Sequence, residues 1–262
     1  MKRHLSANYL VIAIACILFS CKGRMYKAQS NSMAATIQQG EPFYVKEVQH
    51  FQKNDIVVFN YYGNDYQSQP DDNGNFKQHW ERRVFRLIAV SGDTIQIMDG
   101  DVFVNKKEVP LPPGAKISYR IYSQVDIDEF ANNFEKSGDT ITYIINLTRD
   151  EVIEYEQRNP PIIKIKKWNF EPSMPDTIYA RTSANENWNT SDYGPLRIPL
   201  PGETVEVNDN NFRLYRNIPG IKKGKNVIAE TLYFVMGDNR YEAEDSRFIG
   251  LISHSNMYGV VK

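Results

Sequence analysis

Three short apolar runs joined by tight turns constrain this chain more than any other feature. RVFRLIAV (83–90) passes through Ser91-Gly92-Asp93 into TIQIM (94–98), and Asp99-Gly100 then leads into DVFVN (101–105). A two-residue Asp-Gly connection between alternating apolar segments is a strong hairpin signal, because its backbone needs positive φ angles. Strands with connections this short lie antiparallel, which predicts a mainly β fold. The first strand is apolar on both faces, with Arg83, Phe85, Leu87 and Ala89 on one and Val84, Arg86, Ile88 and Val90 on the other. Such a strand is buried on two sides.

The same texture recurs on either side. DIVVFNYY (55–62) reads as a strand followed by a turn-rich loop over 64–76. GETVEV (202–207) and NFRLYRN (211–217) read as strands flanking an Asn-Asp-Asn turn. TLYFVMGDNR (231–240) is a strand ending in an Asx-rich turn, and MYGVVK (257–262) closes the chain. The middle differs. KISYRIYS (116–123), DTITYIINL (139–147) and IIKIKKW (162–168) alternate as strands. Asp126 with Glu129, and Thr148 with Glu151, are capping boxes predicting helices through about Phe134 and Gln157. That β-α-β-α-β order predicts a small α/β subdomain over 113–182, inserted into a β body made of 24–112 and 183–262.

Composition narrows the function. The formal net charge of -1 favours no nucleic-acid partner. Both cysteines, Cys16 and Cys21, lie near the N-terminus, so the body contains no thiol for disulfides, catalysis or metal ligation. The four histidines (His4, His50, His79, His254) lack ligand spacing. No metal or cofactor is expected. Residues 1–23 read as an export leader: Lys2, Arg3 and His4 precede an apolar run from Tyr9 to Phe19. A span needs roughly 20 apolar residues, more than this run supplies. Two readings stay open, a lipoprotein signal with Cys21 as the lipidated residue and a short uncleaved anchor. Either places the body in a bacterial envelope, on the periplasmic side of the inner membrane, against a lipid surface.

Three segments hold polar residues that a β core does not need: Ser30-Asn31-Ser32-Met33, Ser91-Gly92-Asp93-Thr94, and GDNRYEAEDSR (237–247). Singly they read as a polar loop, a strand turn and a salt-bridged surface turn. In this order they resemble the motifs of the signal peptidase I family, S26-type Ser/Lys membrane proteases. Asn54-Asp55-Ile56-Val57-Val58-Phe59 fits a further family motif, Gly-Asp-Ile-Val-Val-Phe. WNTSDYGPLRIPLPGETV (188–205) is similar to Bacteroidetes-type members.

The resemblance implies an antiparallel β catalytic fold lying on the membrane and cutting signal peptides from exported preproteins. It implies Ser32 as nucleophile and Ser30 as the oxyanion-hole hydroxyl. Arg86, Asp93, Asp238, Asn239, Arg240, Asp245, Ser246 and Arg247 are the supporting residues it implies. The family's general base, a lysine kept neutral by burial, aligns with Phe85. The serine that supports that lysine aligns with Ala243. Phenylalanine takes no proton, and Arg86 beside it stays protonated. Lys77 and His79 are the nearest replacements in the chain, His79 lying roughly 20 Å from Phe85 along an extended strand. Two readings follow: a serine endopeptidase that is slow or uses such a surrogate, and a non-catalytic relative that binds extended peptides or partner proteins.

Overall fold

The computed structural model describes residues 23–34, 36–64, 78–127, 134–157, 162–168, 179–183 and 187–262. The leader with Cys21, and Lys77, lie outside the described residues. A seven-stranded antiparallel sheet organises the body. It contains β1 (Gly23–Lys27), β2 (Pro42–Lys46), β3 (Ile56–Asn64), β4 (Gln78–Val90), β15 (Leu232–Met236), β16 (Ile252–Ser253) and β17 (Met257–Val261). Their order is β1-β2-β17-β3-β4-β15-β16. The long strand β4 begins earlier than the apolar pattern predicts, because it continues pairing with β3 out to Gln78↔Asn64. Its centre has neighbours on both edges, with Arg86 opposite both Ile56 and Met236.

A second sheet holds β5 (Thr94–Met98), β6 (Asp101–Val104), β7 (Lys107–Glu108) and β12 (Tyr193–Arg197), in the order β12-β5-β6-β7. The Asp99-Gly100 hairpin is present, with φ of 52° and 80° at its two residues. β13 (Thr204–Val207) pairs with β14 (Gly224–Val227). The strand expected over 211–217 is instead a short helix, Phe212–Tyr215, which buries Leu214 and Tyr215. Asn208 and Asn211 bond each other's turn, which rolls the backbone into that helix before a hairpin can form.

Between the two parts of the body, β8 (Ile117–Ser123), β9 (Phe134–Ser137), β10 (Thr140–Leu147) and β11 (Ile162–Lys167) form a separate antiparallel sheet, ordered β11-β8-β10-β9. The helix Arg149–Gln157 forms as its capping box predicts. The Thr148 N–H donates to the Glu151 carboxylate at 2.6 Å, and the Glu151 N–H donates back to the Thr148 hydroxyl at 3.2 Å. The body of the other expected helix, residues 128–133, lies outside the described residues. Asp126 accepts the Tyr143 hydroxyl at 2.7 Å, and Phe134, the expected end of that helix, opens a strand.

Two apolar clusters fill the body. One is built on Ile95, Leu196, Phe234 and Leu251, between the first two sheets. The other is built on Met33, Val57, Phe59, Phe85, Val235 and Ala243, and carries the site described next.

Candidate active site

Residues 30–34 follow β1 as a tight turn lying against the chain after β15. The Asn239 N–H donates to the Ser32 carbonyl at 3.0 Å, and the Asp238 N–H points at Met33 Sδ at 3.4 Å. The Asn239 amide donates to the Asn31 carbonyl at 3.2 Å. Two segments more than 200 residues apart in sequence are therefore sewn together along their backbones. Gly237 makes the approach possible: a side-chain carbon there would lie 2.5 Å from the Ser32 carbonyl oxygen and 2.3 Å from Ala243 Cβ.

The two serines meet as the motif implies. Ser30 Oγ donates to Ser32 Oγ at 3.0 Å and accepts a long bond from the Ser32 N–H at 3.4 Å. Ser32 Oγ in turn donates to the Glu242 carbonyl oxygen at 3.4 Å. Both serines line a cleft of about 670 Å³, together with Tyr26, Arg83, Phe85 and Glu242. Among the described residues, neither a lysine nor a histidine nitrogen is hydrogen-bonded to Ser32 Oγ. His79 sits on β4 opposite Gly63, six residues before Phe85.

Phe85 is buried, opposite Val57 in register and 6.0 Å from the Phe59 ring. Ala243 is buried in the same cluster. The place where the resemblance expects an amine and its hydroxyl partner is thus continuous apolar core. A lone hydroxyl or amine there would be an unsatisfied buried group, so the two replacements suit each other.

The supporting residues build the frame. Arg86 grips Asp238 through two bonds, Nε to Oδ1 at 2.9 Å and Nη2 to Oδ2 at 2.6 Å. Thr36 Oγ1 donates to the same carboxylate at 2.7 Å. Arg86 also donates to the Asn54 carbonyl, where Asn54 has a φ of 76°. That left-handed conformation is one asparagine tolerates, which explains how it replaces the family's glycine. Arg247 grips Asp245 at 2.8 Å through both Nε and Nη2, and Asp245 also receives the Gly237 N–H at 3.1 Å. Ser246 Oγ accepts the Val235 N–H at 2.9 Å. Asp93 lies apart from the serines, at the far end of β4. It closes its turn by accepting from the Val90 N–H, Asn105 and Lys53.

Sequence reading missed several participants. Arg83, two residues before Phe85, enters the cleft between Glu81 and Glu244, with its guanidinium 4.0 Å from the Tyr61 ring. Burial opposes the Arg83 charge, but the Glu244 and Glu81 carboxylates outweigh it and raise its pKa above the ordinary value. Glu242 acts through its backbone, which carries no sequence signal. Lys116 is also joined to the site. Its N–H donates to the Asp238 carbonyl at 2.7 Å, and its own carbonyl accepts the Arg240 N–H at 2.8 Å. The first strand of the inserted sheet therefore starts on the turn that holds Ser32.

Signal peptidase I of Aquifex aeolicus (strain VF5) is 23% identical over 208 residues, covering 70% of this chain and 75% of that protein. The crystal structure of a signal peptidase I from Enterococcus faecalis V583 is 16% identical, covering 81% of this chain and 97% of its own, with a TM-score of 0.28. A superposition that loose adds nothing to the assignment. The match that decides runs over residues 1–262, and by it the chain belongs to the family described as signal peptidase, peptidase S26.

Proposed function

We propose that this chain binds extended peptide segments of exported preproteins in the Ser30–Ser32 cleft and has lost the lysine-dependent cleavage of its family. The carrying observation is the fate of the Ser32 proton. It points at a backbone carbonyl, and the base position is the buried ring of Phe85. A carbonyl oxygen orients a hydroxyl but does not deprotonate it, and a serine without a base is a weak nucleophile. Loss of one member of a catalytic set removes most of the rate while leaving binding in place.

A second reading, a slow endopeptidase, is favoured by one observation. The Ser30 hydroxyl lies 3.4 Å from the Ser32 N–H and 3.0 Å from Ser32 Oγ, so the two donors of an oxyanion hole stay together beside the nucleophile position. In either reading the hold on the envelope membrane comes from residues 1–23, as a lipidated Cys21 or as an uncleaved anchor. Among the described residues, no helix is long and apolar enough to cross a bilayer.

The deciding experiment uses the full chain and its Ser32→Ala variant with a signal-peptide-bearing preprotein. Binding without cleavage in both proteins supports the first reading. Cleavage by the wild type that Ser32→Ala abolishes overturns it in favour of the second.

A further inference from the structure

The inserted sheet has one covered face and one charged face. Ile121, Tyr143 and Leu147 pack on the first, against Val152 and Tyr155 of the helix Arg149–Gln157. Alternate residues of a strand point to opposite faces, so the residues between these point away from that cluster. In register they are Arg120 and Tyr122 on β8, opposite Lys166 and Lys164 on β11. Lys164 and Lys166 are exposed and Arg120 is half-buried. Among the described residues, none of the three basic groups has a carboxylate partner. The acidic position that this face carries in register is Glu135 of β9, opposite Thr142, roughly 14 Å across the sheet from Lys164.

Two lysines and an arginine gathered on one face repel one another. The Lys166 side chain, close to Lys164 and of the same charge, lowers the Lys164 pKa from its ordinary value. Lysines on an edge strand such as β11 discourage pairing with other chains. Arg120 has no such role, because β8 is an interior strand with neighbours on both sides.

The charged row is continuous with the serine cleft. Trp168 follows Lys166 by two residues on the same face, and its N–H donates to the Ser118 carbonyl at 2.9 Å. Its ring lies 6.0 Å from that of Tyr241. Tyr241 is 44% exposed and adjoins Glu242, whose carbonyl accepts the Ser32 hydroxyl. Lys166 and Lys164 lie about 7 and 13 Å beyond Trp168 along β11. An extended chain leaving the cleft over Tyr241 reaches them in roughly six to eight residues.

We propose that this face receives acidic residues of the same extended peptide that occupies the Ser30–Ser32 cleft. The inference rests on the peptide-binding reading of that cleft and adds to it the class of client. Arg120 offers a carboxylate a planar, forked partner, and the two lysines offer point charges.

The test uses the full chain and labelled synthetic peptides that share one cleavage-region sequence. One set carries Asp and Glu at alternate positions of a tail, the other Asn and Gln at the same positions, each with the tail at either end. At low salt the acidic tail on one of the two ends should tighten binding about 5–10-fold, and the gain should shrink as ionic strength rises. Lys164→Glu combined with Lys166→Glu should reverse the preference, so that a Lys-containing tail binds better than the acidic one. Equal binding of acidic and amide tails by the wild type would overturn the inference and leave the peptide-binding reading standing. Failure of every peptide to bind would overturn both. An acidic preference that survives the double reversal would place recognition elsewhere, at Arg82 or Arg83 in the cleft. A double reversal that weakens binding to phosphatidylglycerol vesicles but leaves the tail preference intact would assign the face to lipid, against the inference.

Discussion

Phe85 and Ala243 both stand where a side chain on Gly237 would go. A side-chain carbon at Gly237 would lie 3.5 Å from Phe85 Cδ1 and 2.3 Å from Ala243 Cβ. The two positions where the family resemblance expects a base and its hydroxyl partner thus share one packed spot behind Ser32.

Restoring the lysine alone is therefore expected to damage the protein before it restores any chemistry. Phe85→Lys places an unpaired amine among Val57, Phe59 and Met33, at a cost of about 3 kcal/mol in urea unfolding. Adding Ala243→Ser should return part of that stability and give the first measurable preprotein cleavage. A folded double variant with no cleavage would mean that more than these two groups has been lost.

Gly237→Ala should cost about 3 kcal/mol, because the added methyl meets a backbone carbonyl as well as Ala243. Peptide binding should fall with stability, since the same shift breaks the bond from the Asn239 N–H to the Ser32 carbonyl. A denaturant midpoint equal to wild type would refute the contact.

Arg86→Met strands the fully enclosed Asp238 carboxylate and should cost about 3–5 kcal/mol. Arg86→Lys should rescue only a fraction, because an ammonium cannot reproduce the two-pronged grip. The pairing is tested by adding Asp238→Asn to Arg86→Met. The double variant should be more stable than the two single losses predict.

Asp93 gives a pH-dependent prediction. Burial tends to raise its pKa, but the Val90 N–H, Asn105 and Lys53 outweigh burial and hold it below the ordinary 3.8. A carboxyl depressed in the folded state stabilises above its unfolded value, and that contribution fades as pH falls through the folded value. Asp93→Asn should therefore cost about 1–2 kcal/mol at neutral pH. The gap to wild type should close below about pH 4. A gap unchanged between pH 7 and pH 3 would contradict the assignment.

The β body was legible wherever periodicity and turn chemistry agreed. TIQIM-Asp99-Gly100-DVFVN specifies its hairpin locally, and Thr148 with Glu151 specifies a helix start through two mutual bonds. Reading failed where a segment was claimed by a distant partner. Phe134, expected to close a helix, pairs with Tyr143 as a strand. Residues 211–217 alternate like a strand, yet the edge facing β13 is taken by residues 224–227. Motif order located Ser30, Ser32, Asp238 and Asp245. It could not reveal Glu242, whose contribution is a carbonyl.

The two backbone bonds between Lys116 and the 238–240 segment have a practical meaning for protein engineering. They make residues 115–118 part of the body's scaffold, although the sequence pattern assigns them to the insert. A shortened form that keeps the chain through Ser118 retains the support under the serine turn, whereas a deletion starting at Pro112 removes it. The usable splice point is set by where the backbone last touches Asp238 and Arg240, several residues beyond the change in sequence texture.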